Sequence, residues 1–347
     1  LPRSFSGQAA AARSGRDNCP APMTVRPGHV YDEDARRRHV PLLGDARGIV
    51  AVEGPGSVRA PDAERSTGMP DSWRWDQSLF RGSATYYEQG RLAYAPGYTE
   101  QLAKILALDG SGRLLDVGCG PGTVVLPFAE HFHEAVGVDP DPDMLVAAER
   151  RARTLGVRNV RWAEARAEDL PGDLGRFQVI LFAQSFHWTE REQVAATARD
   201  MLEPGGWLVL LSDLKTPRTE PAELPYPPPP YERITELTRQ YLGTVRRAGQ
   251  GLLINGTPSG EGAILTDAGF EDLRRLVVPS GAVVARATDD IVAWAFSRSD
   301  MAPHLFGDRL QEFERDLRTL LARTSPVGVF AEQLPDTEIR YAQRARQ

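Results

Sequence analysis

From Arg113 the chain reads Arg113-Leu-Leu-Asp-Val117, then Gly118-Cys-Gly-Pro-Gly122, then a run with helical spacing from Thr123 to His131. Three glycines in five residues, directly behind a short apolar strand and directly ahead of a helix, leave few architectures open. Glycine adopts backbone conformations closed to other residues and removes the side chain that would keep a ligand from the main chain. Strand, glycine turn and helix in that order bring backbone N–H groups and a helix N-terminus to one place, at the carboxyl edge of an open sheet. The segment therefore predicts the first βα unit of an α/β domain with a ligand at its turn.

The following residues extend this pattern. Glu134-Ala-Val-Gly-Val-Asp139 reads as a second strand ending in an acid, where a carboxylate can accept both hydroxyl hydrogens of a ribose. Asp143-Met144 opens a helix that runs to about Arg151. Val160–Ala163, Phe177–Ala183 and the stretch up to Leu211 read as strands three, four and five, the last entered through the turn Leu202-Glu-Pro-Gly-Gly206. Leu273–Val278 and Ile339–Arg344 supply a sixth and a seventh. Upstream, Leu102, Ile105, Leu106 and Leu108 fall at helical spacing and predict a helix over 98–108.

Composition narrows the class of ligand. The net charge is −6 and no Lys/Arg-rich block stands out, whereas sequence-independent binding to phosphate backbones needs a basic surface; no nucleic-acid partner is expected. No apolar run approaches the ~20 residues that span a bilayer, so no membrane partner is expected. Cys19 and Cys119 lack the spacing of a disulfide framework or a zinc site, which fits a reducing cytoplasm. The basic residues are nearly all arginine, as in a GC-rich genome. Residues 1–68 are rich in Ala, Arg, Gly, Pro and Ser, with no sustained apolar period. They read as a disordered or misassigned leader, ahead of a working domain over 69–347.

Leu114-Leu-Asp-Val-Gly-Cys-Gly-Pro-Gly-Thr123, Val138-Asp139, Ala167-Glu-Asp-Leu-Pro171, Phe186-His-Trp188 and Leu202-Glu-Pro-Gly-Gly206 occur in that order. Together they resemble the successive motifs of class I S-adenosylmethionine (SAM) dependent methyltransferases, in the small-molecule branch similar to bacterial trans-aconitate methyltransferase-like enzymes. A dinucleotide-binding domain would want glycine where Thr123 stands. The resemblance implies an α/β fold: a Rossmann-like sheet of seven strands, the last antiparallel, with helical lid insertions. It puts the SAM-binding core at about 113–211 and the lid and substrate insertions at about 214–335.

Carried over by motif, Asp116 would sit near the methionine amino end, and Gly118, Cys119 and Gly120 would line the cofactor with backbone atoms. Asp139 would hold the ribose, Pro140 and Met144 would pack on the adenine, and Glu168 and Asp169 would read its edge. Ala183 would close the end of strand four. Tyr86-Tyr87-x-x-Gly90-Arg91-x-x-Tyr94 resembles a segment that closes over the cofactor. There Tyr87 would face it, and Arg91 would pair with the SAM carboxylate as a planar fork meets a planar anion. Many relatives place proline after this arginine, where this chain has Leu92. His187 is the candidate catalytic base, because histidine titrates in the range that proton removal from oxygen or nitrogen needs.

The partner implied is a small-molecule acceptor. Proline-rich residues 216–231 read as an extended excursion, followed by helices over 231–245, 288–296 and 309–321. In this insertion Trp294, Phe296, His304, Phe306 and Phe330 are candidates to line the acceptor pocket, with core packing as the default reading for each. At the level of function the alternatives are a SAM-binding protein without transferase activity and a nicotinamide-dependent oxidoreductase.

Overall fold

The computed structural model describes residues 76, 78–214, 223–248, 251–252 and 260–345. The leader 1–68, the expected domain start at Met69 and residues 216–222 of the proline-rich excursion lie outside the described residues. In chain order the first elements are α1 (Ala84–Gly90), α2 (Tyr98–Ile105), β1 (Arg113–Val117), α3 (Val125–Phe128), β2 (Glu134–Asp139), α4 (Pro142–Leu155) and β3 (Val160–Glu164). Then come β4 (Phe177–Ala183), α5 (Arg191–Met201), β5 (Leu202–Asp213), α6 (Tyr231–Leu242), β6 (Arg247–Ala248), β7 (Gly251–Leu252) and α7 (Glu261–Asp267). The chain continues through β8 (Phe270–Val278), β9 (Val283–Ala287), α8 (Thr288–Phe296), α9 (Leu310–Thr324), β10 (Val329–Gln333) and β11 (Thr337–Arg344).

Seven strands form one sheet in the order β3-β2-β1-β4-β5-β11-β8. The first five pair in parallel, and β11 runs antiparallel to both β5 and β8. This is the expected Rossmann-like arrangement, with its last strand reversed. Beyond β1 the chain builds outward first through β2 and β3, then from the other side through β4 and β5. The loops after β1 and β4 therefore leave in opposite directions and open a crevice at the carboxyl edge.

Alternation along the strands explains why both faces are covered. Leu114, Val179, Leu181, Val209, Leu211 and Ile339 join one buried cluster, with Leu102, Val125 and Phe128 from the helices on that side. Leu115, Val117, Val136, Val138, Ile180, Phe182, Leu208 and Leu210 join another, with Val194, Ala198 and Leu265 opposite. Strands buried on both faces read as near-continuous apolar runs, as these do.

Three helices are shorter than their periodicity predicts, each for a local reason. The run from Thr123 to His131 divides into α3 and a 3₁₀ turn over Ala129–His131, because Pro127 has no N–H to continue the ladder. α2 stops at Ile105, and Ala107 then takes a positive φ of 51°. α6 stops at Leu242, ahead of Gly243 at φ 89°. By contrast α4 is well bounded: the Asp141 side chain accepts from the Asp143 N–H at 2.9 Å, Pro142 fills the first turn, and Gly156 closes the end at φ 71°.

The insertion packs as a further layer around its own core. Phe296, Phe306, Phe313 and Phe330 are buried there with Leu317 and Leu321, and the Phe306 and Phe313 rings stack with centroids 4.1 Å apart. A two-stranded antiparallel sheet, β9 with β10, stands where the sequence suggests only lid. For Phe296, Phe306 and Phe330 the core-packing reading holds: these rings fill the insertion's own core. Trp294 lies 4.3 Å from the Tyr231 ring, and His304 Nδ1 lies 3.1 Å from the Arg81 carbonyl.

Candidate functional site

A cleft opens at the carboxyl edge of β1, β2 and β4. Its floor is main chain. Gly118 and Gly120 take φ values of 71° and 53°, and the N–H groups of Gly118 and Cys119 both donate to the Val138 carbonyl, at 2.8 and 3.0 Å. A Cβ on Gly118 would stand 2.5 Å from Ser185 Cβ, so the loop after β4 passes directly against the glycine turn. Ser185 fixes that approach by donating from Oγ to the Val117 carbonyl at 2.5 Å. Gln184, the residue between, holds a positive φ of 55°, a conformation that costs about 1–2 kcal/mol in an L-residue.

Asp139 ends β2 inside this cleft and is 8% exposed. Its Oδ2 accepts the Gly120 N–H at 2.8 Å and its Oδ1 the Asp141 N–H at 3.0 Å. Burial pushes its pKa up to about 6, with the two N–H donors pulling the other way. Below the floor, Asp116 is completely buried and neither carboxylate oxygen has a hydrogen bond. Burial first and the Asp139 charge second push its pKa up to about 8; the nearby Val125 N–H lowers it only in part. Burial also raises the Cys119 thiol, with the two carboxylates adding to the effect, so a thiolate is disfavoured there.

Of the residues expected at the site, Tyr87, Gly118, Gly120, Asp139, Pro140, Met144, Glu168 and Ala183 line the cleft. Met144 is 2% exposed and forms an apolar wall beside Pro140. Glu168 is there, but its carboxylate is engaged: one oxygen accepts the Glu190 N–H at 2.9 Å, and the other lies 3.3 Å from Arg166. It ties the loop after β3 to the start of α5.

The other expected site residues stand elsewhere. Asp116 and Cys119 lie beneath the lining, Asp169 faces outward and exposed, and His187 is half-buried with its ring 4.9 Å from that of Trp188, the member of the pair that does line the cleft. Arg91 stands behind Tyr87, its guanidinium 4.9 Å from that ring. Its Nη2 donates to the Ser297 carbonyl at 2.8 Å, while its Nε is buried without a partner.

Gln184, which follows Ala183 at the end of strand four, also lines the cleft, and residues that the sequence did not single out complete the walls: Leu79, Arg166, Ser185 and Thr189 among them. Asp213, at the end of β5, accepts from Gln184 Nε2 at 3.3 Å. Although this side chain reaches solvent, the protein around it desolvates the carboxylate and raises its pKa, against the lowering effect of Arg91 and Gln184. An acid three strands away from Asp139 in the sheet carries no motif. Only the pairing of β4 with β5 brings it beside Gln184. Among the described residues no group of three or more His, Cys, Asp or Glu is placed to hold a metal, and no helix is long and apolar enough to cross a membrane.

The cleft thus fits an adenosine-type ligand on three independent features. A buried carboxylate stands where ribose hydroxyls would donate, the floor at Gly118 and Gly120 is bare main chain, and an apolar wall lies beside the carboxylate.

Residues 114–206 match the family described as a methyltransferase domain. An uncharacterized methyltransferase of Mycobacterium tuberculosis is 32% identical over 150 residues, covering 42% of this chain and 56% of that protein. A ubiquinone biosynthesis O-methyltransferase of Azorhizobium caulinodans is 34% identical over 99 residues, covering 28% of this chain and 39% of that protein. The chain therefore spans about half the length of the curated relatives it matches. Among solved structures, the YcgJ protein of Bacillus subtilis aligns with a TM-score of 0.42 at 17% identity, covering 72% of this chain and 98% of that one.

Proposed function

We propose that this chain, a class I SAM-dependent methyltransferase by the domain at residues 114–206, transfers a methyl group from SAM to a small-molecule acceptor and releases S-adenosylhomocysteine. The observation that carries the reading is Asp139: a buried carboxylate at the end of β2, facing the cleft and held against the glycine turn by the Gly120 N–H. When bound, SAM supplies a methyl group on a sulfonium, which leaves as the acceptor attacks.

The chain's own residues have four tasks in this reading. Asp139 accepts the ribose hydroxyl hydrogens. Gly118 and Gly120 present main chain to the amino-acid end, while Pro140 and Met144 hold the adenine on their apolar wall. Glu168 keeps the loop after β3 in place, so adenine-edge contacts fall to main-chain groups of Arg166 and Ala167. Most of the acceleration then comes from holding acceptor and methyl in line, which requires no special side chain.

For acceptors that lose a proton, Asp213 is favoured over His187. Neither Asp213 nor the His187 ring is itself part of the lining, but Asp213 accepts a hydrogen bond from Gln184, which is. A carboxylate between Gln184 and the Arg91 charge suits removal of a proton from a hydroxyl or an amine.

Thermal unfolding of the full chain with SAM, S-adenosylhomocysteine and NAD in parallel tests the reading. A ligand that binds only the folded state raises the midpoint with its occupancy. A rise with SAM and its product, absent in Asp139→Ala, is expected. A rise with NAD alone, or none with any of the three, overturns it.

A further inference from the structure

The cleft wall formed by Leu79, Phe80 and Tyr87 belongs to a segment that the sheet does not hold. α1 is seven residues long, has no side-chain cap and carries no acid in its first turn. Isolated helices shorter than ~12–15 residues are marginal in water, so its position comes from what it packs on. Toward the sheet side its polar link is Glu88 to Arg151 at 3.8 Å, an exposed pair of the kind that contributes little.

Toward the insertion it is clamped along its length. Ser83 Oγ donates to the Phe296 carbonyl at 2.7 Å, Gln89 Nε2 to Asp290 Oδ1 at 3.0 Å, and Arg91 Nη2 to the Ser297 carbonyl. A Cβ on Gly90 would stand 2.4 Å from the carbonyl of Ala293, so α1 and α8 cross with main chain against main chain.

One guanidinium gathers these parts. Arg286, on β9, is 5% exposed. Its Nη2 donates to the Gly90 carbonyl at 2.8 Å and to the Asp290 carbonyl at 2.9 Å, and its Nη1 to Glu332 Oε1 at 2.7 Å. Glu332 Oε2 accepts in turn from the Tyr231 hydroxyl at 2.6 Å. The last carbonyl of α1 would otherwise have no helical donor. Arg286 supplies one, and in doing so ties α1, α6, α8, β9 and β10 to a single planar group. A lysine ammonium cannot span three partners in that geometry.

We infer that Arg286 is a positioning residue for the cofactor: acting through Gly90, it sets the α1 segment at the depth where Tyr87 meets SAM. Arg286 itself does not line the cleft. The inference rests on the SAM reading above and extends it, because the cofactor wall then belongs mechanically to the insertion rather than to the glycine-turn domain. A change that loosens the insertion at this point loosens the cofactor, with no cofactor contact altered.

The test is a double-mutant cycle on S-adenosylhomocysteine affinity, measured by calorimetry with the full chain. Arg286→Lys, Tyr87→Ala and the double variant are compared with the wild type. Arg286→Lys is expected to weaken binding about tenfold or more, and to weaken it much less once Tyr87 is already Ala, because coupled residues are non-additive. Glu332→Gln, which keeps the volume and removes the charge that orients the guanidinium, serves as the second variant should Arg286→Lys not fold, with the same expectation. A merely stabilising ion pair would lower the unfolding midpoint and leave the dissociation constant alone. Wild-type affinity in Arg286→Lys, or full additivity with Tyr87→Ala, overturns the inference while leaving the SAM reading intact. No binding to the wild type overturns both.

Discussion

Asp139 shows how much one carboxylate decides in this molecule. In the free protein its burial sets a pKa of about 6, but ribose hydroxyls that donate to it stabilise the charged form. Binding must therefore be accompanied by loss of its proton whenever the pH is below that value. SAM affinity is expected to be flat above pH 7 and to fall below pH 6, approaching tenfold per pH unit, which is ~1.4 kcal/mol. Calorimetric titrations between pH 5 and 8 check this. Asp139→Asn should bind more weakly at pH 8 and lose the pH dependence, and a slope unchanged in that variant would assign the proton elsewhere. The place of Asp139 at the cleft is legible in the sequence because an acid at the end of the second strand has one strong reading. The bonds of Glu168 are not: its partners Arg166 and the Glu190 N–H meet it only once the loop after β3 is laid against α5. Asp213 is hidden for the same reason, since its neighbour Gln184 lies in the loop after β4.

At the scale of elements, the crossing of α1 with α8 is the contact with least tolerance. Gly90→Ala places a methyl group where the Ala293 main chain already lies, 2.4 Å from the new atom, and neither backbone can turn aside as a side chain could. A loss of ~1–3 kcal/mol is expected, the range for overpacking, read as a lowered denaturation midpoint. The same variant should bind SAM more weakly, because separating the helices moves Tyr87. Normal affinity with normal stability would mean that the crossing is looser than its geometry implies. Periodicity alone located most strands and helices, because burial on one or two faces writes itself into spacing. It overran where backbone chemistry intervened, at Pro127, Ala107 and Gly243. It missed β9 and β10, whose alternation is masked by a buried arginine, Arg286, and a nearly buried glutamate, Glu332, that satisfy each other.

For the molecule as a whole, Asp116 makes stability depend on pH with a definite sign. The folded protein keeps the Asp116 proton up to about pH 8, whereas the unfolded chain releases it near the ordinary aspartate value of 3.8. Between those limits the unfolded state binds fewer protons, so stability falls as pH rises and levels off above about 8. Asp139 adds a slope of the same sign up to about pH 6. Urea midpoints at pH 4, 6 and 8 should fall in that order on these two groups' account. Asp116→Asn should leave the pH 4 midpoint near that of the wild type and raise the one at pH 8. An equal shift at all three values would show that Asp116 is not held neutral. A fully buried carboxyl without a hydrogen bond is tolerated at the floor of the cleft because the fold as a whole compensates for it.

The sequence by itself determined the architecture and the identity of the cleft floor, because both follow from short-range rules. Strands buried on two faces appear as apolar runs, and a glycine turn between strand and helix has one common use. What covers that floor was decided by tertiary structure alone. The α1 segment takes its place from a guanidinium nearly two hundred residues away in the chain, and the rings of Phe296, Phe306 and Phe330 fill the core that holds this guanidinium's layer together. Local spacing records which face of an element is buried. It carries no record of which other element buries it, and that choice depends on contacts between residues far apart in sequence.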